Sequence, residues 1–460
     1  MVRTGVSALR LANARFQGKS AQLSVDWKLT RTLAKRLFGR YVPSMNLYLV
    51  FVLAILIGFA LFDAWIHWLN LNAIQPDIPE EFADVYDAEK YARSQEYLKD
   101  STGFDIFSGL FKTAVLAGFI LAGGFAWIHR IAASSSDGMI LQGLAFAGVL
   151  MLLSTLFGLP FKIYDTFVLE EKYGFNKTTP KTFVTDMIKG LLLTTIIGAP
   201  LFAGIVWFFD VAGGHAWWIS WGVVTAVQLL ILYIAPVYIL PLFNKFEPLE
   251  EGELRTAIEA YAREQGFHVQ GLFKIDGSRR STRANAYFTG FGRNRRIALF
   301  DTLIEKHSVE ELVAILAHEV GHAKCKHIHK QLAAGILSTG IMFGLLSLFI
   351  RQPELYTAFG LPGEAPLPIY AGLIFFGFLY APVSSVIGIL TQVLSRKFEY
   401  EADAFAAKTT GASAPLVNAL KRLSVDNLSN LTPHPWLVFL EYSHPPVLRR
   451  IDALRQVPLP

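Results

Sequence analysis

Cysteine is almost missing: Cys325 stands alone in 460 residues, so no intrachain disulfide can staple this fold. Charge is scarce too. Only 17% of residues are charged, where soluble domains carry about a quarter. No internal repeat or low-complexity tract is present, which removes solenoids and tethers from consideration. In their place stand 53% hydrophobic residues, 36 Phe and a mean hydropathy of +0.39. The apolar residues gather in long runs, near 46–66, 107–128, 138–160, 188–209, 217–243, 332–350 and 368–394. Each approaches or exceeds the roughly 20 residues that cross a bilayer as a helix. Seven membrane spans are expected. The fifth and seventh are long enough to tilt, or to kink at Pro236, Pro241 and Pro382.

Net charge is a modest +5, but the basic residues are unevenly placed. Lys and Arg number 3, 4, 14 and 8 in the stretches 70–104, 161–187, 244–330 and 395–460. They number 1, 0 and 1 in the alternate stretches 129–137, 210–216 and 351–366. Basic residues mark the cytoplasmic side of membrane helices, so the first set is expected to face the cytoplasm. Residues 1–44 break the pattern: with Met45 they hold nine Lys or Arg against one acid, Asp26. A targeting segment and a miscounted span are two explanations. The reading favoured here is a native start at Met45. The chain then divides into that extension, membrane helices one to five over 45–243, a soluble stretch over 244–330, helices six and seven over 331–394, and a tail over 395–460.

The most informative residues lie in the soluble stretch, where 318–322 read His-Glu-Val-Gly-His. On a helix His318 and His322 are one turn apart and share a face. Two imidazoles so placed can hold one Zn²⁺, with Glu319 as general base toward water. The flanks support a helix. Ser308 and Glu311 form a capping-box pattern, and Leu312, Val313, Leu316 and Ala317 keep helical spacing. Two histidines at a plain helix contact are the alternative.

A catalytic zinc needs a third protein ligand. The extended pattern with a nearby third histidine is absent, because Cys325 and Ile328 occupy its positions. His327 and His329 follow, but on a continuous helix they would lie roughly 13–16 Å along the axis from His318. They are therefore expected at the surface or a helix end. Glu399 and Asp403, four apart in Phe398-Glu-Tyr-Glu-Ala-Asp403, are better placed. One carboxylate can bind the metal while the other orients a ligand histidine. Glu401 is expected to be an ordinary solvated charge.

Elsewhere in 244–330, an amphipathic helix ends near Glu264, and strands are expected at Leu272–Ile275, Ala284–Thr289 and Arg296–Phe300. Arg279, Arg280, Arg283, Arg293, Arg295 and Arg296 cluster there. A rim near anionic lipid explains them better than nucleic acid does. A strand beside the zinc helix could hold an extended substrate by main-chain hydrogen bonds, with Asn285 and Ala286 anchoring it. A plain hairpin turning at Gly290 and Gly292 explains the same residues.

Taken together, these segments resemble the type I CAAX prenyl proteases, integral-membrane zinc proteases. The matching stretches include Glu80-Glu-Phe-Ala-Asp-Val-Tyr86, Phe167-Val-Leu-Glu-Glu-Lys-Tyr-Gly-Phe-Asn176, Pro241-Leu-Phe-Asn244, Asn285-Ala-Tyr-Phe-Thr-Gly290, His318–His322, Phe398–Phe405 and Tyr442-Ser-His-Pro-Pro446. The resemblance implies an all-α multi-pass membrane protein of seven helices enclosing a chamber, with a cytoplasmic α+β zinc protease domain. It implies one Zn²⁺ per chain held by His318, His322 and Glu399, with Glu319 as base and Asp403 behind a ligand histidine. It implies His444 as the residue steadying the oxyanion, and Arg450 near the substrate. The expected activity is removal of the C-terminal tripeptide from prenylated CAAX proteins by attack of zinc-activated water. The expected partners are a peptide or protein substrate and the lipid bilayer, without nucleic acid; a monomer is compatible. The expected location is the endoplasmic reticulum membrane in a eukaryote or the inner membrane in a bacterium. Two alternatives are a quality-control membrane protease without prenyl specificity, and a non-catalytic seven-span receptor or transporter with a structural metal.

Overall fold

In the computed structural model, residues 45–267, 271–289 and 296–459 are described. The basic extension 1–44, Gly290, Gly292, Arg293 and Arg295 lie outside them. Seven helices are long and apolar enough to cross a membrane, and each coincides with one of the seven apolar runs. They are α1 (Leu47–Asn72), α2 (Ala88–Leu121), α4 (Met139–Tyr164), α5 (Pro180–Val211), α6 (Ala216–Ile234), α9 (His327–Phe349) and α10 (Ile369–Thr410). Between α2 and α4 a separate helix, α3 (Gly124–Ser135), follows a break at Gly123, whose φ of 77° ends the run. The second apolar run was expected to continue to 128; the helix stops at Leu121 and begins far earlier, at Ala88. Its first turns carry polar residues that hydropathy could not register.

The membrane helices form a ring: α1 packs on α2, α4 on α5, α5 on α6, α6 on α9, α9 on α10, and α10 on α1 and α4. Only 6–17% of each apolar window is buried within the protein. Most of the apolar surface of these helices is therefore left without a protein partner, as helices that meet lipid require. Pro236 sits in a π-helical turn, Ala235–Ile239, that ends α6, whereas Pro382 is accommodated within α10.

Burial concentrates at the two ends of the ring. At one end Phe125, Phe146, Phe359, Tyr370 and Phe375 share an apolar core. There the Asn46 side chain caps α1 by accepting from Leu49 N–H and donates to the Glu354 carbonyl at 2.7 Å. At the other end lies a mixed lobe. It contains α7 (Glu253–Glu264), α8 (Val309–Lys324), α11 (Ala414–Asp426), α12 (Pro435–Glu441), α13 (Val447–Arg455) and a four-stranded sheet. The strands are β1 (Phe246–Pro248), β2 (Gly271–Ile275), β3 (Ala286–Thr289) and β4 (Arg296–Phe300), in the order β1-β2-β4-β3. The lobe core draws Phe82, Tyr86 and Tyr91 from the segment after α1, so it is assembled from several separated stretches of chain.

Three of the four strands fall on the expected runs. The missed one, β1, is three residues long and contains Pro248; it pairs antiparallel to β2 at the sheet edge, where proline is tolerated. At the opposite edge β3 pairs antiparallel with β4 alone, Ala286 opposite Leu299 and Thr289 opposite Arg296.

Candidate metal centre and active site

Helix α8 begins as its sequence demands. Ser308 Oγ accepts from Glu311 N–H and Glu311 accepts in return from Ser308 N–H, a complete capping box. The helix then buries Leu312, Leu316 and Ala317, which turns His318 and His322 toward α10. Contact with α10 is close because Gly321 has no side chain: a Cβ there would lie 3.1 Å from both Cα and O of Ala402. That approach brings the carboxylates of α10 onto the two histidines.

Nε2 of His318 and Nε2 of His322 are 3.1 Å apart. Glu399 Oε1 is 3.3 Å from the His322 nitrogen, and Oε2 is 3.5 Å from that of His318. Ligands about 2.0–2.1 Å from a tetrahedral zinc sit about 3.3–3.4 Å from one another. The carboxylate presents one oxygen to each histidine, and one ligand atom from each of the three residues lies within 4.8 Å of the others, close enough to share an ion. The donor chemistry agrees. Glu399 is buried and its Oε2 has no hydrogen-bond partner, a vacancy in bonding that a cation would fill. Burial pulls the His318 imidazolium toward neutrality, but the Asp403 hydrogen bond and the Glu399 carboxylate beside it outweigh that and lift its pKa to about 9. An acidic cleft that protonates a buried imidazole is one that accepts positive charge. Among the described residues one other trio, Asp63, His67 and Glu441, could meet on a metal. Its pairs lie at 3.7 Å with Asp63 and Glu441 exposed, so the more deeply buried trio is the better candidate.

Behind the histidines, Asp403 Oδ1 lies 2.8 Å from His318 Nδ1. Asp403 is itself held by Arg450, whose Nε and Nη2 donate to its two oxygens at 2.8 and 2.7 Å. Expected near substrate, Arg450 lines the cavity but aims its donors at Asp403 and, through Nη1 at 3.4 Å, at Glu399. His444 reaches the same carboxylate, Nε2 to Oε1 at 3.4 Å. Ser443 Oγ lies 2.8 Å from its Nδ1; with the hydroxyl as donor, the ring proton sits on Nε2 and faces the cleft. The ring is 61% exposed and lines the cavity. The surrounding protein pushes its pKa down despite the pull of Glu399, which favours the neutral form.

These groups open onto a cavity of about 900 Å³. Glu319, His318, Glu399, His444, Arg450 and Asn285 all line it, joined by an apolar wall that includes Leu303, Ile315, Leu416 and Leu420. Asn285 precedes β3, and its carbonyl accepts from Phe300 N–H at 3.2 Å. Among the described residues β3 is an edge strand, where an extended peptide could add as a fifth strand.

Two features escaped the sequence reading. The stretch Phe167–Asn176 buttresses the approach to β3: Glu170 accepts from Tyr97 Oη–H at 2.7 Å and from Arg283 Nη2 at 2.9 Å. The Arg283 guanidinium also lies over the Phe175 ring at 4.3 Å. A salt bridge that joins residues 113 apart leaves no signature in either segment. The second concerns His327. It was expected at the surface or a helix end; it does begin α9, but it is fully buried and its Nδ1 is 3.1 Å from Nδ1 of His322. The expectation assumed one continuous helix. Instead α8 stops at Lys324, and Lys326 with φ of 59° turns the chain back. His329, by contrast, is exposed as expected.

Comparison with known proteins follows the same division. Residues 67–245 match the CAAX prenyl protease N-terminal family of five membrane helices, and residues 248–457 match peptidase family M48. The chain is 37% identical to the CAAX prenyl protease 1 homolog of Oryza sativa subsp. japonica, over 88% of this chain and 97% of that protein. It is 36% identical to CAAX prenyl protease 1 of Saccharomyces cerevisiae, over 83% of this chain and 89% of that protein. The crystal structure of S. mikatae Ste24p superposes with a TM-score of 0.85 at 34% identity, covering 90% of this chain and all of that one. The chain belongs to peptidase family M48, in its CAAX prenyl protease branch, and is a multi-pass membrane metalloendopeptidase.

Proposed function

We propose that this protein is a zinc-dependent membrane endopeptidase that removes the C-terminal tripeptide of prenylated CAAX proteins, its active site facing the cytoplasm. The observation that carries this reading is the His318–His322–Glu399 trio, His318 and Glu399 buried and His322 half-buried, grouped closely enough to share an ion and opening onto a cavity with Glu319 beside it. A zinc ion held there would supply Lewis-acid polarisation of the scissile carbonyl and acidify water. Glu319 takes the proton of the attacking water and passes it to the departing amine. Nε2–H of His444 donates to the oxygen that gains charge. Asp403 fixes His318 in the tautomer whose Nε2 lone pair faces the cleft. Asn285 and the edge strand at Ala286 hold the substrate main chain. The apolar wall of the cavity suits a substrate that carries a lipid close to its cleavage point. The cytoplasmic orientation rests on the basic residues that crowd the four stretches on the side of the lobe.

Mass spectrometry of a farnesylated, CAAX-ended peptide incubated with detergent-purified protein tests this. Release of the last three residues by the wild type, with a loss of about 10²–10⁴-fold or more in Glu319→Gln, is the expected result. Zinc binding without cleavage would redirect the site to other membrane-protein substrates, and absence of zinc would overturn the metal centre.

A further inference from the structure

The two histidines of the trio point their remaining nitrogens in opposite directions. Nδ1 of His318 goes to Asp403, while Nδ1 of His322 goes to His327, and Nε2 of His327 meets Glu401 Oε2 at 2.9 Å. Proton placement along this second chain has one solution. If His322 offers the Nε2 lone pair to a metal, its proton is on Nδ1. That N–H can only donate to a bare Nδ1 on His327. The proton of His327 then sits on Nε2, the atom that faces Glu401. Every contact in the chain has one donor and one acceptor.

We infer that His327, held by Glu401, is a positioning residue for His322: it fixes the tautomer and ring plane of that ligand and raises its basicity. This rests on the reading of His322 as a zinc ligand. The surroundings of His327 are built to hold one ring orientation. Its side chain is 1% exposed and stacks on Phe398 with centroids 4.2 Å apart and planes 9° from parallel. Phe398 adjoins Glu399 in α10, so the ring is clamped to the element that supplies the third donor. Glu401 is steadied in turn by Lys330 at 3.9 Å and Lys397 at 3.8 Å. The left-handed turn at Lys326 is what folds His327 back under His322. Asp403 and Arg450 serve His318 in the same way from the other side, so each histidine has its own support.

A buried histidine can also be a packing residue, and the test separates the two roles. His327→Phe keeps the ring and the stack but removes the acceptor; His327→Gln restores a carbonyl that can accept from His322. Zinc affinity is measured by competition with a chromogenic chelator, alongside the melting temperature of the metal-free protein. The expected result is zinc affinity about 10–100-fold weaker in His327→Phe, largely recovered in His327→Gln, with the metal-free melting temperature unchanged in both. Glu401→Gln, at a partly exposed position, should give a smaller loss in the same direction. The Co²⁺-substituted protein should show shifted d–d bands in His327→Phe, which a packing role would leave in place. Wild-type affinity in His327→Phe, or equal weakening in the Phe and Gln variants, overturns the inference. A wild-type protein that binds no zinc overturns the metal centre instead, and the inference with it.

Discussion

Replacing Asp403 by Asn perturbs stability and metal binding at once, and the two effects can be separated. Asp403 is 2% exposed and Arg450 9%. Their two hydrogen bonds, at 2.8 and 2.7 Å, form a buried bidentate pair. Removing one member of such a pair costs about 3–5 kcal/mol, because the other charge is left uncompensated. Arg450 keeps a second carboxylate, Glu399, at 3.4 Å, which places Asp403→Asn at the lower end, about 3 kcal/mol. With an unfolding entropy of about 2.1 cal/mol/K for each of 460 residues, that corresponds to an apparent melting temperature lower by about 3 °C at a matched scan rate. Zinc affinity should also fall about 10–100-fold, since His318 Nδ1 loses its carboxylate. The decisive variant is the double replacement Asp403→Leu with Arg450→Met. Filling the site with apolar side chains removes the stranded charge and should recover most of the stability. It leaves His318 without an acceptor, so zinc affinity should stay low. Wild-type zinc affinity in the double variant would refute the orienting role of Asp403, and an undiminished melting temperature in Asp403→Asn would refute the buried-pair argument.

Four further outcomes are expected. Zinc must displace the proton that His318 holds up to a pKa of about 9, so affinity measured by chelator competition should rise about tenfold per pH unit up to that value and then level off. The metal-free protein should show the converse: the folded pKa exceeds the unfolded value of about 6.5, so the stabilisation is complete below that pH and is lost as pH rises through about 9. Gly321→Ala gains about 1 kcal/mol of helix propensity but meets the Ala402 backbone at 3.1 Å. Overpacking of that kind costs about 1–3 kcal/mol, so thermal melts should show net destabilisation together with weaker zinc binding. Dialysis against 1,10-phenanthroline should abolish peptide cleavage, and added zinc should restore it; retention of activity after complete metal removal would exclude metal catalysis.

The seven spans were legible because hydrophobic length is a local property of sequence, and the helix carrying His318 was legible because its cap and spacing lie within a few residues of it. Glu399 and Asp403 could be proposed from their i, i+4 spacing alone. Tertiary pairing was harder to read. That Arg450 would close on Asp403, or that Glu170 would hold Arg283, depends on segments brought together by the whole ring of helices. The burial of His327 against His322 was missed for a narrower reason: one positive φ at Lys326 converts a residue extrapolated to lie far along a helix into a neighbour of His322. Nothing in the identity of Lys326 marks it, since lysine seldom adopts that conformation.

The placement of the third donor also bears on how the enzyme comes into being. His318 and His322 precede α9, Glu399 lies late in α10, and Arg450 is near the end of the chain. A chain still being synthesised therefore holds two histidines and Glu319 without the carboxylate that closes their site. The trio can meet only after a further pair of helices has been threaded into the bilayer and the intervening loop has been carried across and back. On the proposed ligand set, hydrolytic competence arrives only after Glu399 has been made, and a product truncated before α10 is expected to be inert.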